Sequence, residues 1–139
     1  MLGKKFSYKS DSIEITYDSK LCIHAAECTK GLPEVFDIKK KPWVNPDGAE
    51  NDKIAKVIHK CPSGALQYIR NDGGRDETPA ADSKIITVPN GPIYISGDID
   101  LNFGDQKIKE TRASLCRCGK SKNKPFCDNT HQEIDFYAE

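Results

Sequence analysis

The sequence has no long apolar run and no excess of charge of either sign. No stretch is long and apolar enough to cross a bilayer, and residues 1–6 lack the apolar core of a signal peptide. The 21 basic residues equal the 21 acidic residues in number, which argues against a broad nucleic-acid-binding surface. We therefore expect a cytoplasmic protein that binds neither membrane nor nucleic acid.

Apolar residues are also scarce, at 37% of the 139 residues, so the core is expected to be thin. Small domains with thin cores often need a metal to hold them together. In a reducing cytoplasm, the six cysteines are better explained as metal ligands than as three disulfides.

A polar segment divides these cysteines into two sets of three. Residues 71–83 contain two adjacent glycines, a proline and few large apolar side chains, which predicts a linker. We predict one domain over 8–70, the linker over 71–83, and a second domain over 84–139.

Hydrophobic periodicity predicts an α+β fold. In the first half, apolar residues alternate over 13–17 as in a half-buried strand, and an amphipathic helix is predicted over about 50–60. The chain can return as a strand over 66–70. The second half contains short β segments and turns between 85 and 115, and a short helix is predicted near Asp128.

The C-terminal cysteines form a compact cluster with one histidine. Cys116, Cys118, Cys127 and His131 follow the order C-x-C-x8-C-x3-H. Side chains at i and i+2 of an extended backbone share one side, so the first two can reach one metal. Residues at i and i+4 share a helix face, so the last two can hold another. This set indicates an iron–sulfur centre, and a structural Cys3His zinc site is the alternative.

Several stretches around this cluster follow a known pattern: LCRCG at 115–119, KPFCDNTH at 124–131, NGPIY at 90–94, and Gly97. Over about 85–136 the chain resembles the CDGSH iron–sulfur domain family (mitoNEET-like). The resemblance implies a β-rich domain, a [2Fe-2S] cluster on the three Cys and His131, redox or cluster-transfer activity, and a tendency to form a homodimer. Asn129 stands where the motif has Gly, and Thr130 where it has Ser. Asn tolerates a left-handed backbone better than most residues.

The N-terminal cysteines form a second candidate site. Cys22 and Cys28 are followed far downstream by Cys61, which precedes a proline. A bacterial ferredoxin motif has C-x2-C-x2-C and a distant Cys-Pro, and here Ala25 takes the middle position. Three ligands favour a [3Fe-4S] centre. A [4Fe-4S] centre needs a further ligand, for which His24 is the nearest candidate, although a hydrogen-bonding role suits it better. Three ordinary buried thiols are the alternative.

Further stretches extend this likeness beyond the cysteines: CIH at 22–24, VF at 35–36, KPW at 41–43 and CPSGAL at 61–66. Over about 17–66 the chain resembles the divergent mono-cluster [4Fe-4S] domain family. The resemblance implies a small ferredoxin-like α+β domain with one cluster.

Two centres in one short chain favour single-electron transfer with an unidentified redox partner protein. The first alternative is a cluster carrier, which releases [2Fe-2S] to an apo-acceptor when His131 is protonated. The second is a zinc-stapled interaction module. No nucleophile–base pair or phosphate loop is evident, so we expect no enzyme activity.

Four basic residues surround the C-terminal cluster: Arg117, Lys120, Lys122 and Lys124. They are either solvated charges that offset the negative charge of the cluster or a docking rim for an acidic partner.

Overall fold

The chain folds into two three-stranded antiparallel sheets with short helices beside them. The computed structural model describes residues 5–139. Residues 1–4, which carry most of the expectation about a signal peptide, lie outside the described residues. Among residues 5–139, no helix is long and apolar enough to span a bilayer. The architecture is that of small α+β units, and the ferredoxin-like arrangement of the first half stays a prediction.

The first half contains three strands and two helices: β1 (Lys5–Lys9), β2 (Ile13–Asp18), α1 (Glu27–Gly31), α2 (Asn51–His59) and β3 (Leu66–Arg70). The sheet order is β1-β2-β3, so β2 is central and pairs with both neighbours. The predicted helix over 50–60 is α2, and the predicted return strand is β3. Sequence analysis did not predict β1 or the five-residue α1.

The core of the first half lies between the sheet and α2. Ile13 and Ile15 point from β2 into this core because alternate side chains of a strand share one face. Ile54 and Ile58 reach it from α2, where residues four apart lie one turn apart. Phe36, fully buried, is fixed beside them by an isolated bridge to Val44.

The second half contains three strands and one short helix: β4 (Lys84–Thr87), β5 (Ile93–Phe103), β6 (Gln106–Leu115) and α3 (Thr130–Glu133). Where short β segments were predicted between 85 and 115, residues 93–103 form the single long strand β5. Its register with β6 shifts between Ser96 and Ile99, where Gly97 has φ 132. An irregularity of this kind bends a strand without ending it.

The two halves share a buried polar interface centred on Arg112 of β6, whose side chain is almost fully enclosed. Its guanidinium donates to the main-chain oxygens of Ile58, Cys61 and Leu66 at 2.6–2.8 Å, and to the carboxylate of Glu77. Glu77 belongs to the segment predicted as a linker, so that segment takes part in the interface. The main chains also approach closely here, because a Cβ at Gly64 would collide with the oxygen of Arg112.

Candidate metal centres

The C-terminal ligand loop is closed by main-chain hydrogen bonds that bring its two ends together. Cys116 N–H donates to the oxygen of Pro125 at 2.8 Å, and Cys127 N–H donates to that of Ser114 at 2.9 Å. An isolated bridge between Leu115 and Phe126 completes this pairing. Consequently, two cysteines eleven positions apart in sequence lie beside each other at the end of β6.

The first ligand pair is Cys116 and Cys118, whose Sγ atoms lie 3.8 Å apart. In a tetrahedral site with metal–sulfur bonds of about 2.3 Å, two sulfur ligands stand about 3.8 Å from each other. These two thiols are therefore spaced for one tetrahedral metal without rearrangement. Both residues are half-buried, while the following Gly119 and Lys120 are exposed.

The second pair is Cys127 and His131, with Sγ and Nδ1 3.6 Å apart. One sulfur at about 2.3 Å and one nitrogen at about 2.05 Å from a tetrahedral metal stand about 3.6 Å from each other. Within residues 5–139, no three His, Cys, Asp or Glu side chains converge to hold one ion. The four C-terminal residues form two pairs, each spaced for one metal.

Backbone N–H groups point at the sulfur atoms of this loop. Gly119 N–H donates to Cys116 Sγ at 3.3 Å, and Asn129 N–H donates to Cys127 Sγ at 3.4 Å. Partial burial raises the pKa of the Cys116 thiol, but the N–H groups of Ser121 and Gly119 outweigh it, and the pKa falls below its ordinary value. Burial dominates at Cys127 and raises its pKa. The loop thus stabilises a thiolate at Cys116 before any metal binds.

The turn before α3 combines a left-handed residue with a carboxylate that bonds the first N–H of the helix. Asn129, with φ 70, is the N-cap residue of α3, and no side chain caps the helix. Asp128 instead accepts hydrogen bonds from Thr130 N–H at 3.0 Å and Lys122 N–H at 2.9 Å. Burial opposes these bonds, but together they hold the pKa of the Asp128 carboxyl below its ordinary value. Asp128 therefore fixes the loop, and the left-handed residue is the Asn that departs from the CDGSH motif.

The basic residues near this loop have different roles. The Arg117 guanidinium donates to the main-chain oxygens of Val88 and Gly91 at 2.6 and 2.9 Å, and also to those of Ala138 and Glu139. It therefore fastens the C-terminal segment to the β4–β5 turn. The exposed residues of the predicted rim are Lys120, Lys122 and Lys124.

The N-terminal cysteines Cys22, Cys28 and Cys61 line one cavity of about 30 Å³, together with Tyr17 and Trp43. Burial, followed by the nearby Cys61, raises the pKa of the Cys28 thiol to about 11. Burial and a hydrogen bond to Cys22 also raise the pKa of Tyr17. A metal binds thiolates, so a cofactor at this half-buried group of cysteines would have to displace the thiol protons.

His24 lies at the edge of this cavity. It is exposed, has φ 57, and donates its backbone N–H to Cys22 Sγ at 3.4 Å. Its Nδ1 stands 4.0 Å from the same sulfur. The side chain of His24 therefore lies beside the Cys22 sulfur at the edge of the cavity.

The two ligand loops pack against each other. Leu21, Ala65 and Phe126 form one buried group, and Leu21 and Phe126 directly precede the candidate ligands Cys22 and Cys127. Two side-chain amides cross the contact: Asn123 Nδ2 donates to the oxygen of Lys20 at 3.1 Å, and Asn129 Nδ2 donates to that of Ile23 at 2.8 Å. Burial raises the pKa of Tyr94, and the thiols Cys127 and Cys61 raise it further.

Sequence reasoning missed Arg112, Asn123 and Asn129 as interface residues. Only Asn129 carried a signal, because its side chain departs from the motif.

Comparisons with known proteins match two different families to two separate parts of the chain. The family described as "Divergent 4Fe-4S mono-cluster" matches residues 8–71, and the family described as "Iron-binding zinc finger CDGSH type" matches residues 90–132. "Uncharacterized protein YjdI" of Escherichia coli (strain K12) is 38% identical over 61 residues, which cover 44% of this chain and 80% of that protein. The protein of the same name from Escherichia coli O157:H7 matches equally.

Proposed function

We propose a function from one premise: this chain belongs to the divergent 4Fe-4S mono-cluster family, with YjdI as a relative, and joins that domain to a CDGSH-type iron-binding domain. It is an iron–sulfur protein. We propose that it transfers single electrons and is not an enzyme. It would use a [2Fe-2S] centre on Cys116, Cys118, Cys127 and His131, and a second centre on the three N-terminal cysteines.

The spacing of the C-terminal ligands supports a two-iron centre. A [2Fe-2S] cluster needs two protein ligands on each iron, and the loop offers two pairs at 3.8 and 3.6 Å. A mononuclear zinc site needs four ligands that converge on one point. The N–H groups that face Cys116 and Cys127 favour negative charge on these sulfur atoms, as ligands of iron require.

When bound, such a cluster accepts and donates one electron at a time. The chain sets the conditions: His131 replaces a negatively charged thiolate with a neutral imidazole, which makes reduction easier. All-Cys plant-type centres have potentials near −400 mV and two-His Rieske centres about −150 to +300 mV, so we expect an intermediate value.

One observation carries the electron-transfer proposal: the two ligand loops meet at a buried interface. Leu21 and Phe126, each adjacent to a ligand, are 3% and 1% exposed, so no layer of solvent separates these parts of the two loops.

The second centre would be [3Fe-4S], because the first half offers three cysteine ligands for it. His24 stands only 4.0 Å from Cys22 Sγ, which suits a residue that stabilises this thiolate.

The test is iron counting with low-temperature EPR, before and after dithionite. The proposal expects two distinct signals. An oxidised [3Fe-4S] centre gives one before reduction, a reduced [2Fe-2S] centre gives the other after reduction, and reoxidation restores the first state. If the second centre is [4Fe-4S], a signal appears only after reduction. A colourless protein that contains zinc would rule out the redox function.

A cluster carrier is the second candidate, and the exposure of the C-terminal loop favours it. Gly119 and Lys120, next to the half-buried Cys118, are exposed, so an acceptor protein could approach this pair. Stoichiometric transfer of [2Fe-2S] to an apo-ferredoxin would support the carrier. Reversible reduction with no transfer would favour the electron carrier.

A further inference from the structure

Asn129 donates hydrogen bonds to both ligand loops. Its backbone N–H donates to Cys127 Sγ at 3.4 Å, and its side-chain Nδ2 donates to the oxygen of Ile23 at 2.8 Å. Ile23 directly follows the ligand Cys22 and is 8% exposed. One residue of the second domain is therefore bonded to a ligand of its own site and to the neighbour of a ligand in the other site.

The side chain of Asn129 is not needed for the local turn. At φ 70 a glycine adopts the same backbone at lower cost, and it would keep the N–H that faces Cys127. The side-chain amide donates a hydrogen bond that crosses to the first domain. The position that departs from the CDGSH motif is thus also the position that bridges the domains.

The receiving segment, residues 20–23, makes two further contacts with the second half. The oxygen of Lys20 accepts from Asn123, and Leu21 is buried against Phe126. Occupation of the N-terminal site would order Cys22 and, through Ile23, the acceptor of Asn129. Coupling between two sites is reciprocal in binding free energy.

We infer that Asn129 couples the two metal sites, so that each site retains its cluster longer while the other is filled. This inference rests on the proposed function, because it requires a cluster at both sites. The interaction lost on removing the side chain is one buried hydrogen bond, which corresponds to a factor of about five in an equilibrium or a rate.

The test is a double-mutant cycle on the full chain, with Asn129→Gly and Cys28→Ser. Cys28→Ser removes a candidate ligand of the N-terminal site that lies outside residues 20–24, and loss of the second EPR signal verifies that this site is empty. The readout is the rate at which the visible absorbance of the C-terminal cluster disappears in a chelator, with EPR to assign the signal. We expect Cys28→Ser to speed this loss about fivefold when Asn129 is present, and less than twofold in Asn129→Gly.

Asn90→Gly is the matched control. Asn90 also has positive φ, at 56, but it bonds Ala138 within the second half. It should leave the fivefold effect intact. An equal effect of Cys28→Ser with and without the Asn129 side chain would overturn the inference.

Hydrogen exchange separates this inference from the proposed function. In the iron-free chain, Asn129→Gly should speed amide exchange across residues 20–24, and unchanged exchange would refute the bridge. A wild-type protein that holds iron at one site only would defeat the two-cluster function, and the exchange result would then decide the role of Asn129 by itself.

Discussion

Replacing Arg112 by methionine should lower the free energy of unfolding, because it removes the hydrogen bonds that join the two halves of the protein. Arg112 is 6% exposed, and its guanidinium uses all five of its N–H donors. Three of these bonds go to main-chain oxygens of the first half, and two go to Glu77. Methionine fills similar space but would leave those oxygens and a carboxylate unpaired in a buried region.

The expected loss is about 3–5 kcal/mol, the range for breaking a buried ion pair by removing one partner. This is a large fraction of the roughly 5–15 kcal/mol that stabilises an ordinary domain. Arg112→Lys keeps the charge but cannot reproduce the planar fork of donors, so an intermediate loss is expected.

The loss should depend on pH. Burial raises the pKa of the Glu77 carboxyl, but the Arg112 guanidinium lowers it by more, so this pKa lies below its ordinary value of 4.5. A lowered carboxyl pKa contributes stability that is present above the unfolded-state value and lost as pH falls through the folded-state value. The difference between wild type and Arg112→Met should therefore be full at pH 7 and shrink below about pH 4.5.

The assay is urea unfolding followed by fluorescence of Trp43, the single tryptophan, which lies in the first half. Exposed Arg75→Met serves as the control, with an expected change within about 0.5 kcal/mol. A loss below about 1 kcal/mol for Arg112→Met, or one that persists unchanged at pH 3.5, would refute the role assigned to this ion pair.

Three further changes have defined outcomes. His131→Cys should lower the midpoint potential by on the order of 100 mV in a dye-mediated titration, because a thiolate adds negative charge; an unchanged potential would show that His131 is not a ligand. Glu110→Gln should raise urea stability at pH 7 by up to about 1 kcal/mol, because burial raises the pKa of Glu110 and charging it is unfavourable. That gain should shrink as pH falls and be small at pH 4, below the ordinary carboxyl pKa of 4.5, and an equal gain at both pH values would contradict this origin. Arg117→Lys should cost about 1–2 kcal/mol and speed amide exchange at Ala138, since Lys has fewer donors for the four carbonyl groups; unchanged exchange would show that Arg117 does not anchor this segment.

Local sequence patterns predicted the elements whose apolar side chains recur at the regular spacing of a strand or a helix. Ile13 and Ile15 alternate into a core, and Ile54 and Ile58 repeat at helical spacing, so β2 and α2 follow from sequence. The pairing of C-terminal residues as two and two was predicted from strand and helix spacing, but neither pair lies in one regular element: Cys116 and Cys118 follow the end of β6, and Cys127 precedes α3, with the left-handed Asn129 between Cys127 and His131. β1 was missed although Phe6 and Tyr8 alternate with polar residues, because the strand is only five residues long and mostly exposed.

The remaining features depend on contacts between residues distant in sequence. Arg112 meets the oxygen of Ile58 across 54 positions, and Asn129 meets that of Ile23 across 106. No local pattern encodes which buried carbonyl a side chain will find. The continuity of β5 was also hidden, since Gly97 and Asp98 resemble the end of a strand until the partner strand shows that the register resumes at Ile99.

A break between the exposed Gly73 and Gly74 would leave two fragments with matching surfaces. One would present the three carbonyl groups near Cys61, and the other would keep both Arg112 and Glu77 to occupy them. The halves should therefore reassemble when mixed as separate polypeptides. In the intact chain, the peptide between them would then contribute chiefly a high effective concentration, which shortens the search of each half for the other.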